Sequence, residues 1–293
     1  EPEAVTLGLS FGDEAAALQW MTAEVAAGRA VPLAEAAAVV ASLAVAMRGD
    51  RQLLLPLVQL RNFDEYTTTH ALNVAVLSMG LAEWMGVAGS SVRQLGVAGL
   101  LHDIGKVHVP AEILNKTGKL TDTERQVMNT HPVHGARLLF ETAPDLELPA
   151  VVAYEHHIMS NGGGYPGLRY RRERHEASKL VHVCDVYDAL VSDRVYRSAW
   201  TSERALALFA SAPLLASCAS TSTSVPAGTT TIRAVIHRTV TVRGKLARVP
   251  ALDRNQPLLY RSRRYAMTGN CVKHLRKERD NRNLQRRCRC PVC

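Results

Sequence analysis

Aromatic residues are scarce: Phe, Trp and Tyr together make up 5% of 293 residues, with four Phe and three Trp. A hydrophobic content of 47% is carried instead by Ala, Leu and Val; two of these rank high in helix propensity, so the composition points to a helical protein. No apolar run is long enough to span a bilayer; the longest, "LAEAAAVVASLAVAM" at 33 to 47, carries Glu35 and falls short of the roughly 20 residues required. No signal peptide is visible. Cysteine is almost missing from the first 200 residues, where only Cys184 occurs, while Cys218, Cys271, Cys288, Cys290 and Cys293 lie further on. That distribution excludes a disulfide-stapled secreted domain and fits a reducing, cytoplasmic setting. The first residue is Glu rather than Met, which leaves room for a preceding sensor or anchor segment.

The net charge of +8 conceals two different polymers. Residues 1 to 200 hold 17 Lys+Arg against 23 Asp+Glu, a net of −6, whereas residues 201 to 293 hold 18 against 4, a net of +14. The length suffices for one large or two small domains.

From about residue 13 to residue 209 the chain reads as successive amphipathic helices. "DEAAALQWMTAEVAAG" ends in a Gly stop, "LAEAAAVVASLAVAM" follows a Pro, and "YTTTHALNVAVLSMGLAEWMG" again ends in Gly. Thr121 and Glu124 stand at capping-box spacing, predicting a helix start. Pro132 predicts another, "PVHGARLLFETA", with His131 at the junction. "SNGGGYPG" at 160 to 167 must be a loop. "EASKLVHVCDVYDALVS" and "TSERALALFASA" return to a helical period. Beyond about residue 210 a Ser/Thr-rich stretch, "SCASTSTSVPAGTTT", leads into Arg-rich sequence without a sustained period.

Along the helical part, groups that ligate metal recur: His70, His102-Asp103, His131, His156-His157 and Asp185. Five imidazoles and two carboxylates match the needs of two adjacent first-row cations, with one carboxylate able to bridge. Each residue alone has a plainer reading. A His-Asp pair can be a buried hydrogen bond, His70 a packed helical residue, the tandem His a solvated helix end, and Asp185 a cap or surface charge.

Taken together, "DEYTTTHALNVAVL", "LLHDIGKVHVPAEILNKTGKLT", "HPVHGARLL", "HHIMSNGGGYPG" and "DVYDALVSDRVYR" occur in an order that resembles the HD-GYP subgroup of the HD-domain metal-dependent phosphohydrolases. The likeness runs from about Asp64 to about Phe209. It implies an all-α HD-domain helical bundle at 56–209 with an N-terminal helical segment at 1–55, while the low-complexity, basic composition of 210–293 is that of a disordered tail. The activity implied is hydrolysis of cyclic di-GMP to pGpG, and onward to GMP, by a hydroxide generated between two divalent ions. Iron or manganese is the expected pair, with zinc or magnesium as alternatives.

Carried over position by position, the resemblance implies that His70, His102, Asp103 and Asp185 hold one ion and Asp103, His131, His156 and His157 the other. Asp103 and Lys106 are the implied catalytic residues, with Lys106 reaching the substrate phosphate. Gly164, Tyr165 and Pro166 match the signature loop, and Arg194 and Arg197 would contact phosphate as substrate-binding residues. Asn73, Tyr187 and Asp188 are candidates for packing or for supporting the ligands. His108, His134, His175 and His182 are expected to be ordinary.

The chain also departs from the family pattern. Tyr66 replaces a Glu found in three-metal members, favouring two ions. Ile158 and Asn161 replace an acidic pair before the loop, which keeps open an alternative: a catalytically weak domain acting as a cyclic-dinucleotide receptor or interaction module. Expected partners are cyclic di-GMP, a second copy of the chain in a homodimer, and an upstream sensor, receiver or diguanylate cyclase domain. No specific nucleic acid is expected despite the basic tail, which shows little aromatic interleaving. The composition change near residue 210 is what a shift of reading frame would produce.

Overall fold

The computed structural model describes residues 11–49, 66–159, 163–167, 173–193 and 198–211. The expected basic tail beyond Ser211, together with Asp64, Asn161, Arg194, Arg197 and the Tyr66 side chain, lies outside the described residues. The chain separates into two compact units, Glu1–Arg254 and Asn255–Cys293, and every described residue belongs to the first.

Among the described residues the architecture is all-α. Helices α1 (Gly12–Ala26) and α2 (Leu33–Gly49) precede α3 (Tyr66–Trp84) and α4 (Gly89–Leu101). A 3₁₀ turn (Ile104–His108) leads to the one-turn α5 (Ala111–Leu114), then α6 (Asp122–Met128), α7 (His131–Thr142), α8 (Glu147–Glu155), α9 (Glu176–Val191) and α10 (Ser202–Ser211). An isolated antiparallel bridge joins Ile158 and Gly164.

The local signals act as the sequence predicts. Gly86 ends the α3 turn at φ +78°, a torsion that side chains resist. Thr121 Oγ1 accepts from Glu124 N while Glu124 accepts from Thr121 N, a full capping box for α6. Pro132 occupies the first turn of α7, where its missing N–H costs nothing.

Helix α3 is the central rod. Residues 71 to 76 are buried on every side, the pattern of a helix surrounded by others. One continuous apolar core joins Leu18, Met21 and Val25 of α1 and Val40 and Leu43 of α2 to Leu72, Val76 and Met79 of α3. It extends through Leu95 and Leu101 of α4 to Val152 of α8 and Val181 of α9. A second cluster docks α10 onto α9, with Leu206 and Phe209 against Val183, Tyr187 and Val191. Helices α3, α4, α7, α8 and α9 thus bring their polar residues to one interior face.

Candidate metal centre

Helix ends do much of the positioning. His102 caps α4, Asp103 precedes the 3₁₀ turn, His131 opens α7 and His156 caps α8. The last four carbonyls of a helix have no partner within it, and three imidazoles use them. His102 Nδ1 lies 2.7 Å from Gly99 O, His131 Nδ1 2.7 Å from Met128 O, and His156 Nδ1 2.9 Å from Ala153 O. A carbonyl only accepts, so each Nδ1 carries the proton and, in the neutral ring, each Nε2 presents a lone pair.

Those lone pairs converge. His131 Nε2 and His156 Nε2 are 3.3 Å apart and lie 3.1 and 3.6 Å from Asp103 Oδ1. On the other side, His102 Nε2 and His70 Nε2 lie 3.3 and 3.9 Å from Asp103 Oδ2, and His70 Nε2 is 3.2 Å from Asp185 Oδ1. Asp103 therefore turns one oxygen to each group. All seven candidates come together in two sets, Asp103, His131, His156 and His157, and His70, His102 and Asp185, with ligand atoms within 4.8 Å in each set.

Acceptors crowded in this way repel unless positive charge lies among them. His102 Nε2 and Asp103 Oδ1 are buried and have no hydrogen-bond partner, the 3.3 Å approach of His102 to Oδ2 lacking hydrogen-bond geometry. Orphaned acceptors, all of nitrogen and oxygen type, fit divalent transition metals. The residues present fit the expected ions.

The ionisation states differ between the two halves. Burial favours the neutral rings of His156, pushed down to about 4, and His157, pushed down to about 2; a neutral imidazole is the ligating form. Burial would also raise the Asp103 carboxyl, yet it is held well below its ordinary value, with the Lys106 ammonium the largest opposing influence. Asp185 is likewise held far down, chiefly by His70 against the cost of burial. For His70 burial is overcome by Asp185 and Asp188, which raise it to about 9.

Lys106 follows Asp103 by three residues on the 3₁₀ turn, and its Nζ sits 2.5 Å from Asp103 Oδ2. Its side chain is 23% exposed, so the ammonium lies at the solvent side of the cluster. In the loop, Tyr165 packs on His157 with ring centroids 4.6 Å apart. Burial, with Asp103 and Asp185 close by, pushes the Tyr165 phenol above its ordinary value. Gly164 adopts φ +83°, and a Cβ there would come within 2.1 Å of His157 O. Tyr165-Pro166 is a cis peptide. Ile158 is buried in a small apolar cluster with Ala136 and Tyr154.

Two histidines read as ordinary have local duties. His182 Nδ1 bonds His156 O at 2.6 Å, fastening the end of α8 to α9. His182 precedes Asp185 by three residues, so both share one face of α9, a spacing that could have singled it out. His175 caps α9 by accepting from Ala177 N at 3.1 Å, while its own N–H donates to the buried Glu155 at 2.8 Å. His108 and His134 stack on each other outside the cluster, with ring centroids 5.0 Å apart.

Comparison with known proteins agrees with this geometry. The family described as HD domain matches residues 52–212. The chain is 39% identical over 179 residues to the cyclic di-GMP phosphodiesterase PA4108 of Pseudomonas aeruginosa, covering 61% of this chain and 43% of that protein. It is 33% identical over 139 residues to the 3'3'-cGAMP-specific phosphodiesterase 2 of Vibrio cholerae, covering 47% and 27%. The chain thus spans less than half the length of these relatives. Among solved structures, Bd1817, a HDG"Y"P protein from Bdellovibrio bacteriovorus, matches with a TM-score of 0.58 at 16% identity, over 80% of this chain and 74% of that one. That likeness supports the helical fold.

Proposed function

The chain belongs to the HD domain family, and from that premise we propose that it is a metal-dependent phosphodiesterase opening cyclic di-GMP to pGpG, and then to GMP. The observation that carries the proposal is the carboxylate of Asp103, one oxygen facing His131 and His156 and the other facing His102 and His70. A carboxylate shared between two sets of imidazoles suits a pair of adjacent ions such as two-ion hydrolysis uses. Bound there, a pair of Fe or Mn ions would supply Lewis acidity toward a phosphoryl oxygen and lower the pKa of water.

The chain's own residues would do the rest. His70, His102, Asp103 and Asp185 would hold one ion, and Asp103, His131, His156 and His157 the other. Lys106, paired with Asp103 and partly exposed, would neutralise charge on the phosphoryl group. Tyr165, with Gly164 and Pro166, walls the His157 side and would exclude water from the bound nucleotide. Arg194 and Arg197 are assigned phosphate contacts from their motif, with the catalytic unit spanning residues 56–209.

Similarity to a 3'3'-cGAMP-specific enzyme favours a second reading in which the substrate is that hybrid dinucleotide. Separate assays with cyclic di-GMP and 3'3'-cGAMP, on protein loaded with Mn²⁺ or with Fe²⁺ under anaerobic conditions, distinguish them. Release of pGpG by wild type and none by His102→Ala with Asp103→Ala is the expected result. A loaded protein that binds cyclic di-GMP without cleaving it would instead be a receptor.

A further inference from the structure

The imidazoles of the centre are not held alike. His102, His131 and His156 each lean on a neutral backbone carbonyl. His70 leans on a carboxylate: its Nδ1 lies 2.7 Å from Asp188 Oδ2. Asp188 is completely buried, and a buried charge is costly unless it is paired and hydrogen-bonded. Its second oxygen, Oδ1, accepts from Asn73 Nδ2 at 2.8 Å and from Ser192 Oγ at 3.4 Å. Asn73 lies three residues after His70 on α3, so one turn of that helix supplies both donors. Asp188 in turn lies three residues after Asp185 on α9. Two helices therefore meet through paired residues, one of each pair facing the cluster and the other behind it.

The electrostatic result is an asymmetry. Around the His70 half stand Asp103, Asp185 and, behind the ring, Asp188; the other half has three imidazoles and Asp103 as its sole carboxylate. An anion behind an imidazole fixes its tautomer and increases the donor strength of the opposite nitrogen. We propose that Asp188 is a positioning residue that acts through His70 to make the His70–His102–Asp185 half the tighter of two unequal metal positions. The inference rests on the metal-binding part of the function proposed above and is independent of the substrate.

The test uses the full chain, stripped with chelator and titrated with Mn²⁺ alone, with bound and free ion counted by electron paramagnetic resonance. Wild type is expected to show a tight and a weak class. Asp188→Asn removes the negative charge whichever way the amide turns, and should weaken the tight class by about 10- to 100-fold while sparing the weak one. His157→Ala should do the reverse, abolishing the weak class. Asn73→Ala keeps the carboxylate and the imidazole but removes an orienting donor, so it should weaken the tight class by a smaller factor. It also serves if Asp188→Asn fails to fold, which thermal unfolding of the stripped proteins reveals. Wild-type protein that takes up two ions, with both classes unchanged in folded Asp188→Asn or, failing that, in Asn73→Ala, overturns this inference alone. Wild-type protein that takes up no Mn²⁺ overturns the metal reading with it.

Discussion

Asp103 is the one side chain that belongs to both halves of the cluster, because its oxygens face opposite sets of imidazoles. Asp103→Ala should therefore abolish tight uptake at both positions, and elemental analysis after desalting should find less than one ion per chain. Gly164 gives a contrasting case. At φ +83° with His157 O 2.1 Å from any added Cβ, Gly164→Ala meets a left-handed torsion costing about 1–2 kcal/mol and a direct clash with the residue that carries a ligand. Lower thermal stability and weaker Mn²⁺ binding are the expected readouts. At this scale the sequence was highly legible: the seven candidate ligands singled out by spacing and resemblance converge in space, although each alone looked ordinary. What spacing could not reveal was support. The spacing of His182 from Asp185 puts both on one face of α9, but which group His182 bonds, a carbonyl 26 residues away, is set by the packing of α8 on α9. Ile158, which stands where the resembling family has an acid, is packed in an apolar cluster.

At the level of elements, start or stop signals predicted α1, α2, α3, α6 and α7, and a helical period predicted α9 and α10. Thr121→Ala removes the capping box of α6 and should cost about 1 kcal/mol in stability, measured by urea unfolding. Helix α10 tests a different contribution. Phe209 is 2% exposed, wedged against Tyr187 and Val191 of α9, so Phe209→Ala should cost about 3–5 kcal/mol. Because α9 carries Asp185, the same variant should loosen metal binding as well as the fold. The 3₁₀ turn at Ile104–His108 was less legible. Asp103 and Lys106 are three residues apart, and the chain tightens between them, with Lys106 N bonded to Asp103 O at 2.9 Å where Gly105 passes close to α7.

The molecule as a whole balances opposite ionisation demands. Burial lowers His156 to about 4 from 6.5, so in metal-free protein its contribution is present above pH 6.5 and is lost as pH falls toward 4. His70 has the reverse sign: raised to about 9 from 6.5, it stabilises fully below pH 6.5 and its contribution fades as pH rises toward 9. Chelator-treated protein should accordingly be most stable near pH 6.5 as judged by urea midpoints, losing stability on both sides. Saturating Mn²⁺ should lift the alkaline side, since ion binding requires unprotonated imidazoles and strengthens with pH. No helix of the described residues is long and apolar enough to cross a membrane.

The passage of Gly105 beside α7 carries a last consequence. A Cβ on Gly105 would lie 2.0 Å from His131 O and 2.4 Å from Gly135 N, so main chain rests on main chain where the segment of Asp103 meets the segment of His131. The interval between these segments is gauged by peptide units, which have no rotamers. The distance between the segments of Asp103 and His131 is thereby fixed with no side chain to adjust it, and a single methyl group at this joint would force them apart.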